Sequence, residues 1–254
     1  MCSRRTFLAS LPILWGAANS ALAESLARTR IRMASSGNYR PFTFKEGTGP
    51  MRGIVVDILG LVEPGAGVVF DYSDLPWARA QQMVKAGQID AVCTIATAER
   101  RGYIDFAPTP LFAEPTVLVY REGNDRAGAA ETPADLHDLT IVEPLGTGWV
   151  KETLKGQRIE WESDVDHLLD MIAAGRIDAS LLGQWSVAVR FAETGRRGNL
   201  KTKVFGLAPE DNEIRFGLRK TFPNAAGIVA AVDTALAAVR ASGAIDHIVE
   251  KYTL

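Results

Sequence analysis

Ala86-Gly87-Gln88-Ile89-Asp90-Ala91 has a near copy in Ala174-Gly175-Arg176-Ile177-Asp178-Ala179, and this pair of hexapeptides decides the fold. Each follows an apolar, helix-periodic stretch and opens a strand. The glycine supplies the left-handed residue that ends a helix, the isoleucine buries, and the aspartate begins the next strand. The echo extends upstream. Phe70-Asp71-Tyr72-Ser73-Asp74 precedes the first helix, and Ile159-Glu160-Trp161-Glu162-Ser163-Asp164 precedes the second. Strand, helix, glycine stop and strand recurring together predict two lobes of like build.

Around the first copy the pattern is that of a βαβ sheet: strand Arg30 to Ala34, helix Val55 to Leu61, strand Val68 to Tyr72, helix Trp77 to Lys85, strand Asp90 to Ile95. Thr116 to Arg121 is an extended run leaving the first lobe, and Glu122 to Pro133 a polar loop entering the second. Ile214 to Leu218 is a second extended run. Pro223 then opens a long helix through Ala241, and after Gly243 another helix runs from Ala244 to Tyr252. The predicted fold is α/β, with residues 24–118 and 219–254 in lobe 1 and residues 119–218 in lobe 2. A double-stranded hinge of this kind bends about one axis and leaves a cleft between the lobes.

The first residues predict the compartment. Ser3-Arg4-Arg5-Thr6-Phe7-Leu8 sets two guanidinium groups before an apolar stretch, and Ala21-Leu22-Ala23 has the small residues of a cleavage site. Residues 1–23 therefore read as a signal peptide of the twin-arginine type, and the mature chain as periplasmic. Removing Arg4 and Arg5 takes the formal charge from -2 to about -4. No basic surplus points to nucleic acid, and no later apolar run is long enough to span a bilayer. Cys2 leaves with the signal, so Cys93 stands alone in an apolar run and reads as a buried small hydrophobe. His137, His167 and His247 are scattered. Neither a metal nor a cofactor is expected, and no Ser/His/Asp or Cys/His constellation suggests a catalytic residue.

Ligands of open α/β sheets bind beyond the carboxyl ends of strands. After the strand ending near Ile95 comes Ala96-Thr97-Ala98-Glu99-Arg100-Arg101, a turn opening a helix whose free amides, hydroxyl and guanidinium suit an oxyanion. After the strand Thr140 to Val142 comes Pro144-Leu145-Gly146-Thr147-Gly148-Trp149. Its glycines allow close backbone approach, and Thr147 can donate from both hydroxyl and amide.

Asn38-Tyr39-Arg40-Pro41-Phe42, Gly53 to Asp57, Thr97-Ala98-Glu99-Arg100, Ile104-Asp105-Phe106 with Pro110, Gly146-Thr147 and the two hexapeptides together resemble the bacterial extracellular solute-binding proteins of family 3. The resemblance runs in order through nearly the whole mature chain. It implies a type II periplasmic-binding-protein fold that closes on a small ligand and delivers it to an ABC permease as a monomer. It also implies that Arg100 grips a ligand carboxylate, that Thr147 completes the grip from lobe 2, and that Tyr39 covers the ligand. Trp77 falls at the cleft wall, and Thr94, Ile95, Gly146, Gly183 and Gln184 fill out the expected binding set.

Two departures matter. Family members that bind amino acids carry an aspartate for the α-ammonium where this chain has Gly183, and Ile95 stands where a serine often donates. An ammonium buried without a carboxylate is costly, so the expectation is an organic anion, unless Glu143, Glu193 or Asp211 substitutes, with Trp77 or Trp185 stacking on a planar part. Two other roles share the fold: a sensor or accessory module, and a dehydratase similar to cyclohexadienyl dehydratase, for which no cleft acid is apparent in the sequence.

Overall fold

The computed structural model describes residues 28–207 and 212–253. The expected signal peptide and Asp211 lie outside them. In chain order the elements are β1 (Thr29–Ser35), β2 (Asn38–Tyr39), β3 (Thr43–Phe44), α1 (Ile54–Ala66), β4 (Val68–Asp74), α2 (Trp77–Lys85), β5 (Ala91–Thr94), α3 (Ala98–Arg101), β6 (Ile104–Phe106) and β7 (Phe112–Ala113). They continue with β8 (Thr116–Arg121), α4 (Asp125–Ala129), β9 (Ile141–Pro144), α5 (Gly148–Thr153), β10 (Ile159–Glu162), α6 (Val165–Ala173), β11 (Ala179–Gly183), α7 (Gln184–Thr194), β12 (Leu200–Val204), β13 (Glu213–Arg219), α8 (Ala225–Ala241) and α9 (Ala244–Thr253).

The repeat read from sequence is a repeat in space. Helices α2 and α6 both end on an alanine followed by a glycine at positive φ, 73° for Gly87 and 68° for Gly175. The Gly87 N–H donates to Val84 O and the Gly175 N–H to Ile172 O, at 3.0 and 2.9 Å. Each aspartate then ties its new strand to the preceding one. The Asp90 N–H donates to Arg32 O while its carboxylate accepts from Arg32 N; the Asp178 N–H donates to Thr140 O while its carboxylate accepts from Thr140 N.

The sheets duplicate accordingly. In the first, β4, β1 and β5 are parallel neighbours with antiparallel β13 beside β5; in the second, β10, β9 and β11 are parallel neighbours with antiparallel β8 beside β11. Strand alternation supplies two apolar faces per sheet. Ile31 and Met33 of β1 face the core shared with α1 and α8, while Ala34 faces α2. In β8, Val117 and Val119 face α6, and Leu118 faces the core beneath α5.

The chain changes sheet at Glu114-Pro115, between β7 and β8, and again between β12 and β13. These crossings displace the expected boundaries at 118/119 and 218/219, which fall inside β8 and β13. Each extended run pairs along its whole length within one sheet: β8 with β11 and β12, β13 with β5, β6 and β7. The crossings run side by side, with the Glu114 N–H donating to Asn212 O at 3.0 Å. Three expected elements also differ. Helix α1 runs a turn beyond Leu61 through Pro64 to Gly67 at φ 66°, part of the 122–133 loop is helix α4, and α8 opens at Ala225.

Asp90 closes the first lobe. It is 3% exposed, and it accepts from Arg32 Nε and Nη2, both at 2.8 Å, and from Arg219 Nε at 3.1 Å. Burial opposes its ionisation, but these hydrogen bonds outweigh it and hold the carboxyl below its ordinary value. Asp90→Asn leaves Arg32 and Arg219 facing a neutral amide, and urea denaturation at neutral pH should show a loss of about 3 kcal/mol. Because a lowered carboxyl pKa stabilises above the unfolded value and not below it, the difference from wild type should shrink as pH falls through the acid range.

Candidate functional site

A cavity of about 630 Å³ lies between the two sheets, within the range of small-molecule sites. Of the nine expected residues, Tyr39, Trp77, Thr94, Ile95, Arg100, Thr147 and Gly183 line it. Gly146 and Gln184 do not. Gly146 instead turns its carbonyl toward lobe 1, and Gln184 is exposed at the first position of α7, its N–H donating to Pro115 O.

Arg100 is placed by α3, a one-turn helix opened when the Thr97 hydroxyl accepts from Arg100 N. The guanidinium is enclosed, with the residue 3% exposed. Nε and Nη2 donate to Gln81 Oε1 at 3.2 and 2.8 Å, Nη1 donates to Ile95 O at 2.9 Å, and Nη2 donates to Gly146 O at 3.3 Å. All of these acceptors are neutral. Burial pulls the guanidinium pKa down, with Tyr103, Glu99 and Glu152 pulling the other way. The group is a buried cation without a hydrogen-bonded carboxylate among the described residues.

The Gly146 carbonyl also accepts from Trp77 Nε1 and Gln81 Nε2, both at 3.1 Å. Three donors from lobe 1 thus converge on one lobe-2 oxygen. Glycine is required there: φ is +95°, and a Cβ would sit 2.8 Å from Gln81 Nε2 and 2.9 Å from Trp77 Cδ1. The Trp77 ring lies against Arg100, 5.6 Å from guanidinium carbon to ring centroid. Two further contacts cross the cleft, Ala98 N to Glu152 Oε1 at 3.0 Å and Arg40 to Glu193 at 3.2 Å. The lobes are closed on each other.

Glu114, on the first crossing, carries the opposite charge type and is the residue the sequence reading missed. It is 7% exposed and lines the cavity. Oε1 accepts from Trp185 N and Ser186 N at 3.0 and 3.2 Å. Burial raises the carboxyl to about 8 against the pull of these two bonds.

The acids named from sequence lie elsewhere. Glu143 is fully buried beneath β11, accepts from Leu181 N and Ser180 Oγ, leaves Oε2 without a partner among the described residues, and is pushed far up by burial. Glu193 is exposed in its bridge to Arg40. Trp185 packs on Phe42 and Phe112 of the first lobe, at 6.3 and 5.8 Å between centroids, so its ring closes a core and does not line the cavity. Cys93 is half-buried on the cavity wall, its thiol pushed up by burial. Among the described residues no group of three or more His, Cys, Asp or Glu side chains is arranged to hold a metal ion.

The sequence model described as "Bacterial extracellular solute-binding proteins, family 3" matches residues 31–254. The L-cystine-binding protein TcyJ of Escherichia coli (strain K12) is 24% identical over 230 residues, covering 89% of this chain and 83% of that protein. An ancestral arginine-binding protein bound to arginine superposes with a TM-score of 0.69 at 21% identity, over 89% of this chain and 98% of the other. A histidine kinase sensor domain with similarity to periplasmic binding proteins superposes at 0.70, with 20% identity over 89% and 96%.

The raised Glu114 carboxyl gives stability a pH dependence. Between its ordinary value of 4.5 and about 8 the folded chain holds a proton that the unfolded chain has released, so stability falls as pH rises through that window. Glu114→Gln removes this contribution, and denaturation midpoints measured across the window should fall less steeply than in wild type. An unchanged slope would show that Glu114 ionises normally.

Proposed function

The chain belongs to the bacterial extracellular solute-binding proteins of family 3, and from that premise we propose that it captures a small carboxylate-bearing solute in the cleft of an exported, periplasmic clamp and hands it to an ABC permease. The observation that carries this reading is the buried Arg100 guanidinium, whose hydrogen-bond acceptors are all neutral oxygens. A buried charge without a counter-charge costs several kcal/mol, and a solute carboxylate supplies the missing partner. It does so in a site already built of converging donors, replacing Gly146 O with an anionic oxygen that the same N–H groups bind more strongly.

The proposed machinery is Arg100, Trp77 and Gln81 from lobe 1 and the Thr147 turn from lobe 2, with Tyr39 covering the mouth. Thr147 precedes α5 without a side-chain capping bond, which leaves its hydroxyl for a solute. Tyr39 is 49% exposed and packs on Phe42 at 4.9 Å. Closure follows if the solute makes contacts to both lobes that are absent when they part, because only differential affinity shifts such an equilibrium. The reading is capture and release without turnover, in keeping with relatives named as binding proteins. Sensing is the second use of this clamp, as in the kinase domain of like fold.

Arg100→Ala separates these possibilities. Titration calorimetry with L-cystine, L-arginine and L-histidine should show that any of them bound by wild type loses on the order of 100-fold in affinity. Cells carrying only the variant should lose uptake of that solute. Retained affinity would remove Arg100 from the site, and lost affinity with unchanged uptake would favour the sensor.

A further inference from the structure

Gly183 ends β11 and stands at the N-cap position of α7, where it offers no side chain to the helix. A capping side chain accepts from the second or third helical N–H. Here those two N–H groups, of Trp185 and Ser186, donate to Glu114 Oε1. The Glu114 carboxylate has therefore been delivered from 69 residues away, at the crossing between lobes, to the place that an acidic side chain at 183 would occupy. A Cβ at 183 would overlap that carboxylate. The site has room for one carboxylate, and its two possible origins exclude each other.

We propose that Glu114 is the cation-binding residue of the cleft, so that the captured solute carries an ammonium group as well as a carboxylate. This rests on the assignment of the carboxylate to Arg100. Both backbone bonds fall on Oε1; Oε2 takes neither, and Glu114 lines the cavity. Arg100 and Glu114 are thus a buried base and a buried acid on one cavity, each hydrogen-bonded only to neutral partners among the described residues. A zwitterion pairs Arg100 with an anion and gives Glu114 a cation against which its carboxyl can release its proton. A helix cap alone has no need of a carboxylic acid, since a neutral acceptor makes the same two bonds without the cost of burying an ionisable group.

The test uses L-arginine, L-cystine and L-histidine, each against its deamino analogue, in which hydrogen replaces the α-ammonium. Titration calorimetry of wild type should favour the amino acid over its analogue by on the order of 10- to 100-fold for at least one pair. Glu114→Gln, which keeps the shape and the cap, should abolish that preference while still binding the analogue. Glu114→Ala with Gly183→Asp should restore it, because the second carboxylate then enters the vacated space. Gly183→Asp alone should be destabilised, with its midpoint lowered.

Equal binding of both members of every pair, or a preference that survives Glu114→Gln, would overturn the assignment of Glu114 while leaving Arg100 in place. Binding of no member of any pair would overturn both assignments. Release of phenylpyruvate from prephenate by wild type would make Glu114 a proton donor in place of a cation site, and would also overturn the proposal.

Discussion

The closed arrangement depends on the Gly146 carbonyl, which reaches across the cleft to accept from Trp77, Gln81 and Arg100. Each such bond contributes only about 1 kcal/mol net, because opening the cleft returns the same groups to water. The contact therefore holds the lobes together weakly, as a clamp that must release its solute requires. It also leaves Arg100 with no hydrogen-bonded carboxylate among the described residues. A guanidinium enclosed to this degree by neutral oxygens is better bonded than an orphan and worse bonded than one facing a carboxylate, and that gap is free energy a solute can recover on closing.

Glu114 gives the same cavity a second buried ionisable group, an acid where Arg100 is a base. It belongs to one of two adjacent connections between the lobes, so the backbone that joins them also carries this carboxylate. Its bonds reach into lobe 2, to the first turn of α7, whose Trp185 ring packs on Phe42 and Phe112 of lobe 1. Crossing, helix start and cavity floor are thus one connected piece. A solute that pairs with Glu114 would touch a segment that joins the two lobes.

The periodic part of this architecture was legible in the sequence. The two hexapeptides mark the turns that close α2 and α6, since the chemistry of a left-handed glycine followed by a buried isoleucine and a strand-tying aspartate is local. Helix α2 was read to the residue, and Arg100 could be singled out as a candidate because it shares one short turn with its helix start. Glu114 was not legible. Ala113-Glu114-Pro115 reads as a polar linker between two strands, and nothing local says that it folds onto Gly183. The glycine at 183 was the available signal, read as a missing acid when it is the space that a distant acid fills. The crossing points were misplaced for a related reason: an extended run looks the same whether it passes between sheets or pairs within one.

The central claim is that the lobes close around a solute whose two charges complete Arg100 and Glu114. It is tested most directly by a distance across the cleft. Lys85 and Lys155 are exposed on opposite lobes, and spin labels on cysteines replacing them, in a Cys93→Ala background, report the gap by pulsed electron resonance. Adding a mixture of L-arginine, L-cystine and L-histidine should collapse a broad distribution into one short distance, and the deamino analogues should not do so at the same concentration. A distribution that ignores the amino acids, or that narrows equally with the analogues, would contradict the account.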